Sequence, residues 1–496
     1  MTELVTYAEL AETFLRRGAK QLYIDATWQD AADGAVLETI DPSTGRVIGQ
    51  FADGGRADVD KAVAAARRAF EGPWSRYTPA QRQNILLQFA DLVEQHAAEL
   101  AYLDVIDMGA PIGRRPSSFS PAEILRYYAG WATKIHGETI SNSVSPDIFT
   151  YTRREPVGVV GSIIPWNGPT SSAIFKIAPV LATGCTMVLK PAEEASLSSI
   201  RMIELFAQLD VPQGVVNLVT GVGEIAGAAL VEHPDVDKVA FTGSTAVGQQ
   251  LLRAASGNLK RLSLELGGKS PDIVFADADL SRAVPGAGMG VFANTGQVCC
   301  AGTRIFVERP IYDEFVAGLA DFADSLKVGS SLDPETQIGP IVSERQLERV
   351  CGYVGIGANE GARAVAGGQR IETDDLAAGY FIRPTVFADV EDDMRIAREE
   401  IFGPVASVLP FDDADEVVRR ANVTSYGLGG GVWTQNLARA HRTAHALRTG
   451  VVWINGYGYF DPAVPFGGYK MSGWGSELSV HSLEEYLNTK AIWVTT

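Results

Sequence analysis

Two of this chain's four cysteines, Cys185, Cys299, Cys300 and Cys351, stand side by side in GQVCCAGTR (296–304). Such a pair can be a metal site, a disulfide, a packing coincidence, or a reactive thiol with a bystander. Zinc needs more Cys or His at ligand spacing, and the six histidines, at 96, 136, 233, 441, 445 and 481, are scattered. No metal is expected. Adjacent cysteines would close a strained small ring, which disfavours a disulfide. A thiol activated by helix or backbone dipoles and a cationic cofactor remains open.

A second candidate is Glu265 in LSLELGGKSP (262–271), an acid in an apolar strand that runs into two glycines. Desolvation there would raise its pKa toward the range of a general base; pairing with Lys269 is the alternative. Asn167 in PWNGP (165–169) sits between two prolines, where a rigid turn could aim its amide as a donor or merely build the turn. Lys190 and Glu193 in MVLKPAEE (187–194) follow a strand, where an acid can accept both ribose hydroxyls of an adenosine and repel a 2′-phosphate. That favours NAD over NADP. The turn TGVGEIAG (220–227) misses the dinucleotide fingerprint by one residue, while FTGSTAVG (241–248) places Ser244 to cap a helix whose amides could take a pyrophosphate.

These residues need a scaffold that brings distant strand ends together. Short apolar runs (VGVVGSIIP, TMVLKP, VVNLVTG, DKVAFTG, RLSLELGG) alternate with helical stretches, including about 171–183 and 196–208. Strands that are apolar on both faces mean a parallel sheet covered by helices on both sides, with ligands at its carboxyl ends. The pattern restarts after residue 270 with SPDIVFAD, a Gly-rich helix start at 285–297, TRIFVE and a helix at 311–326. Helical periodicity also covers 58–70 and 79–104. DIFTYTRR (147–154) and the closing AIWVTT alternate like half-buried strands in need of partners, for which pairing between subunits is one solution.

Bulk properties exclude several classes. A net charge of −18 would repel phosphate backbones and anionic lipid, so neither nucleic acid nor membrane is an expected partner. MTELVTYAELAETFLRRG carries acids where a leader would carry bases, and no apolar run reaches membrane-spanning length. A cytoplasmic protein with free thiols is expected.

Taken in order, PWNGP, KPAE, FTGST, LELGGKSP, GQVCCAGTR, EEIFGP and PFGGYKMSG resemble the aldehyde dehydrogenase superfamily, in its NAD(P)-dependent, CoA-independent branch, from about residue 20 to the end. The resemblance implies an α/β fold of two doubly wound parallel-sheet domains, one Rossmann-like and NAD-binding and one catalytic, plus a small β oligomerisation element. The expected ranges are 1–136 and 156–267 for the first, 268–467 for the second, and 137–155 with 478–496 for the element. It also implies roles: Cys299 as nucleophile, Glu265 as base, and Asn167 with the Cys299 amide as oxyanion donors. Trp166, Lys190, Glu193, Gly223, Gly243, Ser244, Leu266, Gln346, Glu400 and Phe402 would bind the cofactor, expected to be NAD, with NADP admitted in relatives carrying the same Lys and Glu. Gly168, Ser171, Ser172, Phe175, Ala293, Val298, Cys300, Phe460 and Phe466 would line the substrate pocket.

Two departures from the family pattern stand out. Ser476 in GWGSE replaces a common Arg, which affects a pairing between domains or subunits rather than the chemistry. Gly168, Ser171, Ser172 and Ala293 stand where enzymes for short aldehydes often carry bulk, so long, branched or aromatic aldehydes are the expected substrates and a homodimer or homotetramer the expected assembly. A CoA-acylating semialdehyde dehydrogenase and an inactive ligand-binding scaffold are the rivals. The first generally lacks the strand glutamate; the second would be expected to have lost Cys299, Glu265 or Asn167.

Overall fold

The computed structural model describes residue 9 and residues 11–113 and 120–495. Most of the opening MTELVTYAEL read above, part of the 1–136 range, and Thr496 lie outside the described residues. An eight-stranded sheet holds the first group of apolar runs. Five of its strands, Val159–Ile163, Thr186–Lys190, Val216–Leu218, Lys238–Thr242 and Arg261–Glu265, are parallel neighbours. Every residue of the first two is buried, as a strand with helices on both faces requires. One face packs under Pro169–Thr183, Leu197–Phe206 and Pro79–Gln95. The other packs under Arg56–Glu71, Ala228–Glu232 and Thr245–Ala254. Each fully buried Ile, Leu or Val along these faces contributes about 1.5–3 kcal/mol.

Numbered along the chain, the five parallel strands lie in the spatial order third, second, first, fourth, fifth. The order reverses between Val159–Ile163 and Lys238–Thr242, and connections that diverge there leave an open crevice at the carboxyl ends. Gly473–Trp474 returns from the chain's far end to pair antiparallel with the last strand, matching Glu265 with Gly473.

A seven-stranded sheet forms the second unit. Thr385–Ala388, Val405–Phe411, Arg304–Glu308, Pro271–Val274, Gly431–Trp433 and Trp453–Ile454 run parallel, and Arg363–Ala366 closes one edge antiparallel. Here the rule of carboxyl ends does not hold. Cys299, Glu400 and Phe402 precede the strands that begin at Arg304 and Val405, so this sheet meets the crevice with its amino ends.

Two helix readings need correction. The Gly-rich stretch predicted to start a helix at 285–297 is the end of one: the helix is Leu280–Phe292, capped by Asp279, whose side chain accepts from the Ser281 amide at 3.1 Å. It stops because Asn294, Thr295 and Gly296 all adopt left-handed backbone, with φ of 53°, 57° and 69°. The 79–104 periodicity is two helices, Pro79–Gln95 and Ala97–Met108, broken at His96. The isolated strands found partners in a three-stranded antiparallel sheet of Leu487–Thr495, Ile148–Pro156 and Thr139–Ile140. Its Phe149 and Trp493 stay 48% and 59% exposed.

Candidate active site

The two sheets meet at a crevice of about 730 Å³, open to solvent. The first sheet delivers Pro165–Trp166–Asn167 and Thr242–Gly243–Ser244 from the two strands at the reversal point, and Glu265–Leu266–Gly267 from the next. The second delivers Cys299, Gln346, Arg349, Glu400 and Phe402.

Cys299 sits on a turn closed by the Ala301 amide donating to the Val298 carbonyl at 3.0 Å. It therefore lies beyond the end of a helix, so no helix N-terminus is available to activate it. Three consecutive left-handed residues lead into this turn, two of them not glycine, a strained run that surrounding bonds must hold. Thr295 donates to the Gly339 carbonyl at 3.1 Å, and the Gln297 side chain accepts from the Val342 amide at 3.0 Å and donates to the Asn294 carbonyl at 3.3 Å. Asn167 joins the same network: its Nδ2 donates to the Gln297 carbonyl at 2.9 Å, and its own carbonyl accepts from Asn294 at 3.2 Å. One of its two amide hydrogens is thereby committed and fixes the direction of the other. The hydrogen bond to the Cys300 side chain, burial, and the carboxyls of Glu400 and Glu265 push the Cys299 thiol well above its ordinary range.

Glu265 is 3% exposed, and neither carboxyl oxygen has a hydrogen-bond partner among the described residues. The alternative pairing with Lys269 is not made, since the buried Lys269 ammonium also has no hydrogen-bond partner among the described residues. Burial raises the Glu265 pKa well above the carboxylate range, helped by Glu477 and opposed by Lys176. Lys176 and Glu477 form a buried ion pair, and Thr242 Oγ1 donates to the same Glu477 oxygen at 2.9 Å.

Around the crevice the donor set suits a dinucleotide. Ser244 caps Thr245–Ala254, its oxygen accepting from the Val247 amide at 3.3 Å, so that helix start faces the reversal point. Lys190 Nζ lies 3.1 Å from Glu193, and the Gly223 amide donates to Glu193 at 3.4 Å, which gathers all three at the neighbouring strand end. Glu400 accepts from the Gly268 amide at 2.9 Å. This approach needs glycine, because a Cβ at Gly267 would collide with the Glu400 carboxyl and one at Gly268 with the Cys299 carbonyl. Burial lifts Glu400 to about 7. Phe402, at φ 62°, meets Trp166 edge to face at 5.2 Å between centroids, and the Gln346 amide holds its loop by donating to the Ile401 and Phe402 carbonyls at 3.2 and 2.9 Å.

Known proteins share this architecture. The aldehyde dehydrogenase family model matches residues 28–492. The Bacillus subtilis (strain 168) protein DhaS is 50% identical over 486 residues, covering 97% of each chain. A mitochondrial benzaldehyde dehydrogenase of Antirrhinum majus is 48% identical over 476 residues, covering 95% of this chain and 88% of the relative. The NAD+ complex of an aldehyde dehydrogenase from Bacillus cereus superposes with a TM-score of 0.95 at 48% identity, over 98% of both chains. This chain belongs to the aldehyde dehydrogenase family.

In this aldehyde dehydrogenase fold the residues expected to line a substrate pocket fall in two groups, neither of which is part of the crevice lining given above. Gly168, Ser171, Ser172 and Phe175 occupy the start and first turns of Pro169–Thr183, and Ala293 ends Leu280–Phe292; all five are half-buried. Cys300 is buried against Leu428 and Trp453, with Val298, Tyr457, Phe460 and Phe466 packed on the same cluster. Phe460 and Phe466 meet at 5.4 Å, and Trp453 meets Phe460 at 5.8 Å. Several site residues escaped the sequence reading. Lys176 had a signal, a lone lysine in the apolar run SSAIFKIAP, and Asn294-Thr295-Gly296 is a turn tripeptide just ahead of the cysteines. Glu477, Arg349 and Tyr457 had none, because only the fold brings them in. Among the described residues no helix is long and apolar enough to cross a membrane, and no group of three or more metal-binding side chains occurs.

Proposed function

We propose that this chain is an NAD-dependent aldehyde dehydrogenase that oxidises long, branched or aromatic aldehydes to carboxylic acids through a thiohemiacetal and then a thioester on Cys299. The carrying observation is that a thiol, an oriented amide donor and an unpaired buried carboxyl open into one crevice at the reversal point of a dinucleotide-type sheet. Gly243, Ser244 and the helix start behind them would hold the pyrophosphate; Lys190, Glu193 and Gly223 the adenosine ribose; Glu400, Phe402, Trp166 and Leu266 the nicotinamide end; Gln346 would keep the Phe402 loop in place.

Cys299 gives its proton to water in the open crevice and adds through sulfur to the aldehyde carbon. The remaining Nδ2 hydrogen of Asn167 and the Cys299 backbone amide receive the oxygen as it gains charge. NAD held by the residues named above would supply the hydride acceptor that turns this adduct into an acyl group on Cys299. The acyl group left on Cys299 is a thioester, and Glu265 removes a proton from the water that attacks it, releasing the acid and restoring the thiol. A carboxyl with no partner and a raised pKa is suited to that transfer. Its presence favours hydrolysis over transfer to CoA, and the retention of all three groups disfavours an inactive scaffold.

Small residues at Gly168, Ser171, Ser172 and Ala293, and the paired rings of Phe460 and Phe466, support the bulky substrate class, as does the benzaldehyde named for the Antirrhinum majus relative. The proposal includes a division into NAD-binding, catalytic and oligomerisation units near the expected boundaries. It also includes a cytoplasmic setting, supported by four free thiols, and a homodimer or homotetramer, supported by the exposed Phe149 and Trp493 of the three-stranded sheet. The test is NADH formation at 340 nm across acetaldehyde, benzaldehyde, decanal and a branched enal, with NAD or NADP and with or without CoA. Higher kcat/KM for the three larger substrates with NAD alone is expected; preference for acetaldehyde, or a CoA requirement, overturns the reading.

A further inference from the structure

Below the Cys299 turn, Tyr457 occupies a slot that glycine makes possible. A Cβ at Gly290, Gly302 or Gly431 would lie 3.1, 3.0 or 2.8 Å from its ring atoms, so these three positions stay bare where the ring inserts. Trp453 covers it at 4.7 Å between centroids. At the far end, the Tyr457 hydroxyl donates to the Cys300 carbonyl at 2.7 Å. Ser270 meets the same hydroxyl, and Ser270 Oγ accepts from the Gly429 amide at 3.3 Å. A chain of donors thus runs from Gly429 through Ser270 and Tyr457 to the peptide that follows Cys299 and Cys300, and linked bonds of this kind strengthen one another.

We infer that Tyr457 is a positioning residue: its hydroxyl clamps the Cys300 carbonyl and so fixes the turn that aims the Cys299 sulfur and amide into the crevice. The inference rests on the proposed role of Cys299. Two features separate it from ordinary packing. The hydroxyl bonds the turn itself rather than a neighbouring strand. Ser270, its other partner, belongs to the loop that continues from Glu265, so one bonded path joins the two halves of the proposed reaction.

The test is Tyr457→Phe, which keeps the ring in its slot and removes only the donor. Losing one such bond should lower kcat about tenfold. KM for NAD should stay within about twofold, because no cofactor group is touched. A second arm needs no aldehyde: the pH midpoint of Cys299 alkylation by iodoacetamide, read by peptide mass spectrometry. The Cys300 contact that holds the Cys299 proton depends on the clamped turn. The midpoint should therefore fall in Tyr457→Phe. Should that variant not fold, Ser270→Ala removes the middle of the chain and should shift the midpoint in the same direction. An unchanged kcat, or an unmoved midpoint, overturns the inference. If the wild type oxidises no aldehyde, the proposed function fails while the alkylation arm still decides the role of Tyr457.

Discussion

Replacing Glu265 by Gln separates the two halves of the reaction. The side chain keeps its size, and no bond is lost, since neither carboxyl oxygen has a partner among the described residues. In the proposed mechanism thiol addition and hydride transfer draw on Cys299 and Asn167, so a burst of about one NADH per site should survive. Steady turnover should fall by about 10²–10⁴, the usual contribution of a positioned base. The same substitution carries a stability signature. An acid whose folded pKa is raised holds its proton where the unfolded chain has lost it, so wild type loses stability as pH climbs from the unfolded pKa toward the folded one. Within that window each pH unit costs wild type about 1.4 kcal/mol, and Gln escapes the cost. The Tm of Glu265→Gln should thus gain on wild type as pH rises from about 5, just above the unfolded value. Stopped-flow absorbance at 340 nm reads the burst, and calorimetry across pH reads the Tm. A normal steady-state rate, or a Tm difference that does not grow with pH, refutes the reasoning.

Other substitutions address the remaining groups. Asn167→Ala removes the proposed oxyanion donor and should cut the single-turnover rate about 10²–10³-fold, with NAD affinity unchanged by calorimetry. Gly168→Phe fills the proposed pocket and should raise the acetaldehyde-to-benzaldehyde ratio of kcat/KM by about tenfold or more in a steady-state panel. Burial lifts Glu400 to about 7, and a carboxylate accepts hydroxyls best as the anion, so under its proposed ribose contact NAD affinity should weaken as pH falls from 8 to 6. Titration calorimetry should show that dependence flattened in Glu400→Gln.

Residues that act through their own strand were legible in the sequence. Ser244 reads as a helix cap, Lys190 and Glu193 as strand-end charges, and Glu265 as a desolvated acid, because each signal lies within a few residues. The two-unit α/β pattern follows from the same local periodicity. What stayed hidden depends on distant contact. The Lys176–Glu477 pair joins a helix to a segment about three hundred residues away, and Tyr457 reaches Cys300 only because Gly290, Gly302 and Gly431 open a slot. The misplaced helix at 285–297 shows the limit within a local signal. Glycines suggested a beginning, whereas the left-handed run at Asn294–Gly296 imposes an end. Nor did the sequence disclose that the second sheet presents its amino ends, since that follows from how the two sheets face each other.

The asymmetry of the adjacent thiols is the centre of the account. Glu265→Gln, incubated with NAD and benzaldehyde, quenched in acid and digested, can be mapped by mass spectrometry for the trapped acyl group. A benzoyl thioester on Cys299 is the expected product. A benzoyl group on Cys300, or on neither cysteine, would contradict it.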